Sequence, residues 1–477
     1  MSVFNNEAAN AIDATPQCRC GKLSRDNLSQ GRGRSERAYL VGAVGTRGQA
    51  VRISVRFLND PLPHVLSPTP DAMSRDEKRA GASLAAIFAL RMLGLFLILP
   101  VFSVYAQTIP GGDNLTLVGI ALGAYGLTQA FFQIPFGMAS DRFGRKRVIV
   151  VGLLMFAIGS LVSAMAPDIY WMIAGRVLQG AGAISAAVTA LASDLTREQH
   201  RTKVMAMIGS SIGLMFAVSL VAAPTLYAWV GMGGIFTLTA ALSLGAIGLL
   251  FTAVPPAPTL APGPRVPFTE VLSDTRLLRL NFGIFTLHMT QMAMFVVVPS
   301  LLIAAGNLPM AQHWKIYLPA VLASFLLMIP AILLAEKRGK VKEVFVAAIA
   351  LLLATQAGFV LGSDRLSGLA MALLVFFVAF NILEAMLPSL VSRVAPPRAK
   401  GAALGVYNTT QALGVFAGGL MGGWLGKNFG PEAVFMSAGA MMAAWLYLAL
   451  TMPAIAARVT APVAPHGILE PKMETKT

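Results

Sequence analysis

Ile134-Pro135-Phe136-Gly137-Met138-Ala139-Ser140-Asp141-Arg142-Phe143-Gly144-Arg145-Lys146-Arg147 is a short charged turn between two apolar runs. Its pattern returns once without gaps, as Ile329-Pro330 followed by Glu336-Lys337, Gly339-Lys340 and Lys342. Working outward from both copies, the chain after Gly81 resolves into twelve apolar runs, approximately 82–105, 117–139, 148–166, 169–193, 203–227, 233–254, 281–305, 314–335, 344–362, 366–391, 402–425 and 433–452. Runs of about 20 residues cross roughly 30 Å of hydrocarbon at 1.5 Å per residue. The first charged turn lies between runs two and three and its copy between runs eight and nine, so a six-run unit is duplicated. Such repeats mark secondary transporters, with the substrate path at the interface between the halves.

Composition excludes the soluble classes. Of 477 residues 56% are hydrophobic and only 12% charged, and the mean hydropathy is +0.68, whereas soluble domains carry roughly 25% charged residues. Lys and Arg number 37 against 22 Asp and Glu. The excess sits in short loops rather than in one patch, which argues for topology signals and against a nucleic-acid partner. One set of alternate loops holds Arg142, Arg145, Lys146, Arg147, Arg197, Arg201, Lys203, Arg265, Arg276, Arg279, Lys337, Arg338, Lys340, Lys342, Arg393, Arg398 and Lys400. The opposite loops hold little beyond Lys315, Arg365 and Lys427. The positive-inside rule makes the first set cytoplasmic, and the even number of spans puts both termini there too.

The predicted organisation is therefore an all-α membrane protein of two pseudo-symmetric six-helix bundles, residues 73–254 and 281–452, joined by a proline-rich cytoplasmic linker at 255–280 and followed by a cytoplasmic tail at 453–477. Residues 1–72 are polar and arginine-rich with no run able to span a bilayer, so they are expected to be a disordered extension or a start-site artefact, with Met73 as the biological start. Cys18 and Cys20 lie outside the apolar region, so no disulfide staples the spans.

The stretch Gly137 to Arg147 resembles the G-x-x-x-D-R-x-G-R-[KR] signature of the major facilitator superfamily. Arg176-Val177-Leu178-Gln179-Gly180 in span four is similar to the R-x-x-Q-G motif of its proton-driven members. Gly209 and Gly213 match part of the antiporter motif of span five, but Ala223-Pro224 replaces the Gly-Pro expected there. Leu90 to Gly94, Ser193 to Gln199, Leu280 to Ile284 and Glu384 to Leu390 further resemble a bacterial inner-membrane branch of the family. That branch carries a soluble domain after span twelve where this chain has a short tail, so regulation through such a domain is not expected.

The resemblance implies alternating access around a central site, with spans two and eleven facing each other. It places Gly137, Asp141, Arg142, Gly144, Arg145, Lys146 and Asp194 at a cytoplasmic latch. Asp141 is expected to meet the positive N-terminus of span eleven near Gly401, and Arg145 to pair with Asp194, when the cytoplasmic side is closed.

Within the spans ionisable residues are few: Arg91, Arg176, His288 and Glu384, on spans one, four, seven and ten. A charge at the bilayer centre costs a few kcal/mol, so each needs a partner or a wet cavity. Arg176 either braces helices through carbonyls or serves the path. His288 is either a packing residue or a proton carrier, and Glu384 carries the coupling proton or is simply hydrated near the cytoplasmic end. Polar neutral residues extend a path: Tyr125, Gln129 and Gln133 on one face of span two, Gln179, Gln291, Asn381, Asn408 and Gln411. They serve equally well as interhelical hydrogen bonders.

No HExxH, GxSxG or Walker loop is present and the five histidines are dispersed, so an enzyme is not expected. The expected function is proton-coupled transport of small organic molecules by a monomer in the bacterial inner membrane, in the efflux direction, with no cofactor. Uptake or facilitated diffusion of a polar metabolite is the alternative, and a non-transporting membrane sensor is the alternative from another class.

Overall fold

The structure is a computed structural model that describes residues 72–256, 268–396 and 399–453. The extension expected at 1–72 lies outside these residues except for Ala72, as do linker residues 257–267 and most of the tail. Every regular element among the described residues is helical. In chain order they are α1 (Arg75–Phe96), α2 (Leu99–Ala106), α3 (Leu115–Phe143), α4 (Arg145–Ala164), α5 (Ile169–Ala181), α6 (Ser185–Asp194) and α7 (Glu198–Thr252) in the first half. The second half follows as α8 (Phe268–Leu272), α9 (Thr275–Gly306), α10 (Trp314–Lys337), α11 (Val341–Gly362), α12 (Leu366–Val394), α13 (Lys400–Phe429) and α14 (Pro431–Leu450).

Nine helical stretches of the described residues are individually long and apolar enough to cross a membrane. One of them, α7, holds spans five and six across a break at Gly231, whose φ of 65° ends one helix and starts the next. Span four is built from α5 and α6, each too short to cross alone, and span eleven is the glycine-rich α13. Together these make the twelve spans of two six-helix bundles.

The repeat is visible in the turns. Gly144 between α3 and α4 has φ 95°, and its counterpart Gly339 between α10 and α11 has φ 66°, a region L side chains avoid. Lysines then close both bundles alike: Lys146 Nζ donates to Val254 O at 2.8 Å at the end of span six, and Lys342 Nζ donates to Leu450 O at 3.0 Å at the end of span twelve. A cation on the last carbonyls of a helix also opposes the negative end of its dipole.

Span four differs from the continuous helix expected at 169–193. It breaks at Gly182–Ile184, where Ala183 N donates to Ala181 O and Ile184 N to Gly182 O, both at 2.9 Å. Gly182 lies so close to α4 that a Cβ there would stand 2.3 Å from Gly152 O. The helix yields locally to let two backbones touch, and the freed carbonyl of Gly182 accepts from Arg91 Nη2 at 3.2 Å.

Among the described residues the two halves share a core at the end remote from the charged turn. The largest apolar core joins them, and from the first half it takes residues such as Leu97, Phe102, Val118, Leu122, Phe216 and Ile235, all remote from the charged turn. Residues of the first half nearer that turn, such as Leu84, Phe88, Ile149, Val188 and Val204, form a separate core of their own. At the joined end α3 and α13 meet backbone to backbone: a Cβ on Gly119 would stand 2.1 Å from Gly419 O. At the other end, Gly401 and Gly405 of α13 and Gly209 and Gly213 of α7 have open space beside them. The molecule therefore opens toward the face that carries the Asp141–Arg147 turn, here termed the basic face.

Candidate functional site

The latch residues gather at the basic end of the first half. Arg145 Nε donates to Asp194 Oδ2 at 3.0 Å, Arg145 Nη1 donates to Ser140 Oγ at 2.8 Å, and the same nitrogen pairs with Asp141 Oδ1. One guanidinium fork thus ties the end of span two to the end of span four, a geometry that lysine cannot reproduce. Arg142 is exposed and lies over the Phe143 ring at 5.4 Å. Lys146 closes span six as described, a Cβ on Gly137 would stand 3.4 Å from Ala186 Cβ in span four, and Gly144 supplies the turn. All of these contacts lie inside one half. The partner of Asp141 here is Arg145, and a Cβ on Gly401 would meet open space, so the expected Asp141–Gly401 contact is not made in this state. Since Arg145 and Asp194 stay paired while that face is open, their contact does not by itself distinguish the two states.

Above the latch, Arg91 and Arg176 are sealed in the first half at 0% and 1% exposure, 5.9 and 5.2 Å from the centre of the Tyr125 ring. Arg176 Nη1 donates to Gln179 Oε1 at 2.6 Å and Nε to Ala121 O at 3.3 Å, while Gln179 Nε2 donates to Ser160 Oγ at 2.7 Å. Arg176 thus braces spans two, three and four. Arg91 Nη2 donates to Tyr125 Oη at 2.9 Å, and its remaining stacking partner is Phe156. The spacing that puts Tyr125, Gln129 and Gln133 on one face holds, but their surroundings differ: Tyr125 and Gln133 are buried and Gln129 half-buried.

The second half brings the other candidates together. His288 Nε2 lies 2.7 Å from Gln411 Nε2 and 3.8 Å from Glu384 Oε2. Glu384 thus lies beside His288 of α9, and its side chain is 35% exposed. The oxygen nearest His288, Oε2, is itself buried and among the described residues has no hydrogen-bond partner. Asn381 is turned aside, with its Nδ2 donating to Ser324 Oγ at 2.9 Å on α10. Gln291 is buried on α9, and Asn408 is half-buried on α13.

Two residues at this site carry no polar signal that singles them out in the sequence. Tyr407 lies one turn before Gln411, is 3% exposed and lies within electrostatic reach of Glu384; the same i, i+4 spacing that linked the polar residues would have found it. Phe216 of span five is one of 26 phenylalanines, and only packing distinguishes it. Its ring centroid lies 5.2 Å from Phe96 in its own half and 6.3, 6.1 and 5.9 Å from Phe295, Phe377 and Phe380 in the other.

Two helical bundles packed together at one end and apart at the other, with few ionisable groups in their spans, define a membrane transporter. The chain belongs to the Major Facilitator Superfamily, whose family model matches residues 84–419 and 314–472. It is 46% identical over 389 residues to the inner membrane transport protein YajR of Escherichia coli, covering 80% of this chain and 84% of that protein. It is 28% identical over 347 residues to the multidrug resistance protein MdtH of Yersinia enterocolitica, covering 70% of this chain and 84% of that one. Among solved structures, the human organic anion transporter MFSD10 superposes with a TM-score of 0.62 at 19% identity, covering 79% of this chain and all of that one. An inward-facing bacterial homologue of the lysosomal transporter Spinster gives 0.59 at 13% identity over 80% of this chain and 96% of that one. These two structures share the fold. The protein is a transporter and not an enzyme.

Proposed function

We propose that this transporter is driven by protons and exports small organic molecules across the bacterial inner membrane, with the basic face in the cytoplasm. The observation that carries the reading is Glu384, a carboxylate at membrane depth beside His288 at 3.8 Å, with its side chain 35% exposed. An acid so placed takes up and releases a proton as the opening alternates, and its charge change is an energetic event of a few kcal/mol in this medium. The bias of Lys and Arg toward one set of loops supports the orientation. The name of the MdtH relative, a multidrug resistance protein, supports export.

In the opposite state the basic ends of the bundles close. Asp141, already oriented by Arg145, then meets the N-terminus of α13 near Gly401, an interaction worth a fraction of to about 2 kcal/mol. The Arg145–Asp194 contact keeps the turn rigid in both states.

Inverted vesicles with an imposed pH gradient and a panel of fluorescent amphipathic dyes test the reading. Dye accumulation that collapses with a protonophore and is absent from the Glu384→Gln protein is expected. Accumulation indifferent to protonophore overturns proton coupling, and accumulation only in right-side-out vesicles overturns the direction.

A further inference from the structure

At the joined end, the turn between spans seven and eight is short and folded onto itself. Asn307 reverses the chain after α9 with φ 44°, a left-handed conformation that its short polar side chain tolerates. Pro309 then opens a single 3₁₀ turn, Met310–Gln312, which leads through His313 into α10. This turn packs against α7 of the first half, as does α10 behind it, so a piece of the second bundle is seated on the first. Tyr317 is part of the apolar core that the halves share, and Met310 packs against it. His313 is 0% exposed. Its Nε2 lies 3.3 Å from Leu308 O, and because a carbonyl only accepts, Nε2 carries the proton and Nδ1 is bare. Nδ1 is buried and among the described residues has no hydrogen-bond partner. The main chain of His313 ties the ring to both neighbours: its N donates to Met310 O at 3.1 Å, and its carbonyl accepts from Ile316 N and Tyr317 N at 3.0 Å.

Nothing here is arranged to receive a positive charge. Beyond Lys203 the titratable residue of α7 is Tyr227, whose ring lies 6.2 Å from that of Tyr105 on α2. On α10, Tyr317 meets the His313 ring edge-on at 6.2 Å, and Lys315 Nζ donates to Gln312 Oε1 at 2.9 Å, while Glu336 and Lys337 are at the far end. The charged residues of α9 are Arg276 and Arg279 at its basic end, and its remaining titratable residue is His288. Against α10 also pack α11 and α12, whose charged residues are Lys342, Glu343, Glu384 and Arg393, with Asp364 and Arg365 in the turn between them. Among the described residues no carboxylate forms an ion pair with His313.

We propose that His313 is an acid-sensitive release for the joined end: once protonated, its ring leaves its seat, the Met310–Gln312 turn separates from α7, and the bundles part on that face. A proton on Nδ1 of the seated ring would be a buried charge with no acceptor and no counter-ion, and with the Lys315 ammonium two residues on. The same charge on a ring exposed to water carries no such cost. The seated turn therefore holds the neutral imidazole, and opening is accompanied by proton uptake. The open state gains as pH falls through the ordinary imidazole value of about 6.5, and the seat is restored as pH rises again. This device goes beyond the proton-driven reading above, since it sets which face is open and does not involve Glu384.

Ser300, 3.4 Å from Gln107 across the seam at this end, reports the opening. In the full chain without Cys18 and Cys20, maleimide labelling of Ser300→Cys is followed in the absence of a gradient at about pH 7.5 and about pH 5, on either side of the imidazole value. Each rate is divided by that of the same chain carrying His313→Gln, so that the pH dependence of the thiol cancels; glutamine keeps a donor for Leu308 O and stays neutral. The ratio should rise about tenfold on acidification, the order expected when one imidazole titrates over more than one pH unit. An unchanged ratio overturns the proposal. Hydrogen exchange of residues 308–317 in the chain that retains His313, corrected for the intrinsic effect of pH, reads the same event without a substitution at the seat. Protection should fall at the lower pH, and equal protection at both overturns the proposal. The acid response should persist in Glu384→Gln. Its loss there assigns the titration to Glu384 and overturns the release while leaving the proton-driven reading standing, whereas an intact response beside protonophore-insensitive accumulation in vesicles refutes proton coupling alone.

Discussion

Arg145 and Asp194 form an ion pair of 3.0 Å within a single bundle, each side chain 21% exposed. Rigid rocking of the two halves leaves this pair untouched. In the proposed cycle the pair fixes the turn that presents Asp141, and Asp141 makes the state-dependent contact.

Arg145→Lys keeps the charge and loses the fork to Asp141, Asp194 and Ser140. It should cost about 1–3 kcal/mol of stabilisation at this turn and reduce transport without removing protein from the membrane. Flux per molecule in vesicles, set against protein quantity, checks this; full activity in the variant refutes the positioning role.

Gly119→Leu places a side chain where α13 backbone already stands, with the Cβ position 2.1 Å from Gly419 O. The joined end should be forced apart and the population moved toward the state open on that face. Ser300, whose Oγ lies 3.4 Å from Gln107 Nε2 across the seam, reports it. A Ser300→Cys probe in a chain lacking Cys18 and Cys20 should label several-fold faster in the Gly119→Leu background, and an unchanged rate would count against the seam as the gate.

Glu77 is 5% exposed and ties the start of span one to the loop after span four: Arg197 Nη2 reaches its Oε2 at 2.8 Å and Arg197 N its Oε1 at 2.9 Å. It also completes a capping box with Ser74. Glu77→Gln retains acceptor geometry but loses the charge, which should lower stability by about 1–3 kcal/mol and the thermal midpoint with it. Glu77→Ala should lower the midpoint further, and equal midpoints for all three proteins would show the clasp to be idle.

Asp274 caps α9, accepting from Arg276 N at 2.8 Å and pairing with Arg276 Nη2 at 2.9 Å. The Arg276 guanidinium holds its carboxyl below the usual range, outweighing the opposing effect of burial. A depressed folded-state pKa gives stability that is complete above the unfolded carboxyl value and lost as pH falls through the lower folded value. Asp274→Asn, which keeps a capping oxygen, should therefore differ from the parent at neutral pH by less than about 1 kcal/mol, and the two should converge in acid. A gap that widens on acidification would contradict this.

Much of the architecture was legible without coordinates, and for identifiable reasons. The spans follow from uninterrupted hydropathy, the duplication from the return of Ile134 to Arg147 as Ile329 to Lys342, and Gly144 from the reversal that its lack of a side chain permits. The four intramembrane ionisable residues stood out because lipid makes them costly. The break in span four was invisible, since nothing in Arg176 to Asp194 interrupts the apolar run, and it exists only because α4 approaches Gly182 so closely.

What the residues alone determined is thus which segments enter the bilayer and which charges must be accommodated there, because both depend on the transfer of individual side chains from water. Only the tertiary structure decided that His288 would meet Gln411, 123 residues away, that Phe216 would bridge the bundles, and that the opening would lie on the basic face. Helices in lipid gain little from hydrophobicity when they associate; they choose partners by close steric fit of small residues and by hydrogen bonds. Such fits depend on the shapes of two surfaces at once, and neither surface alone contains them.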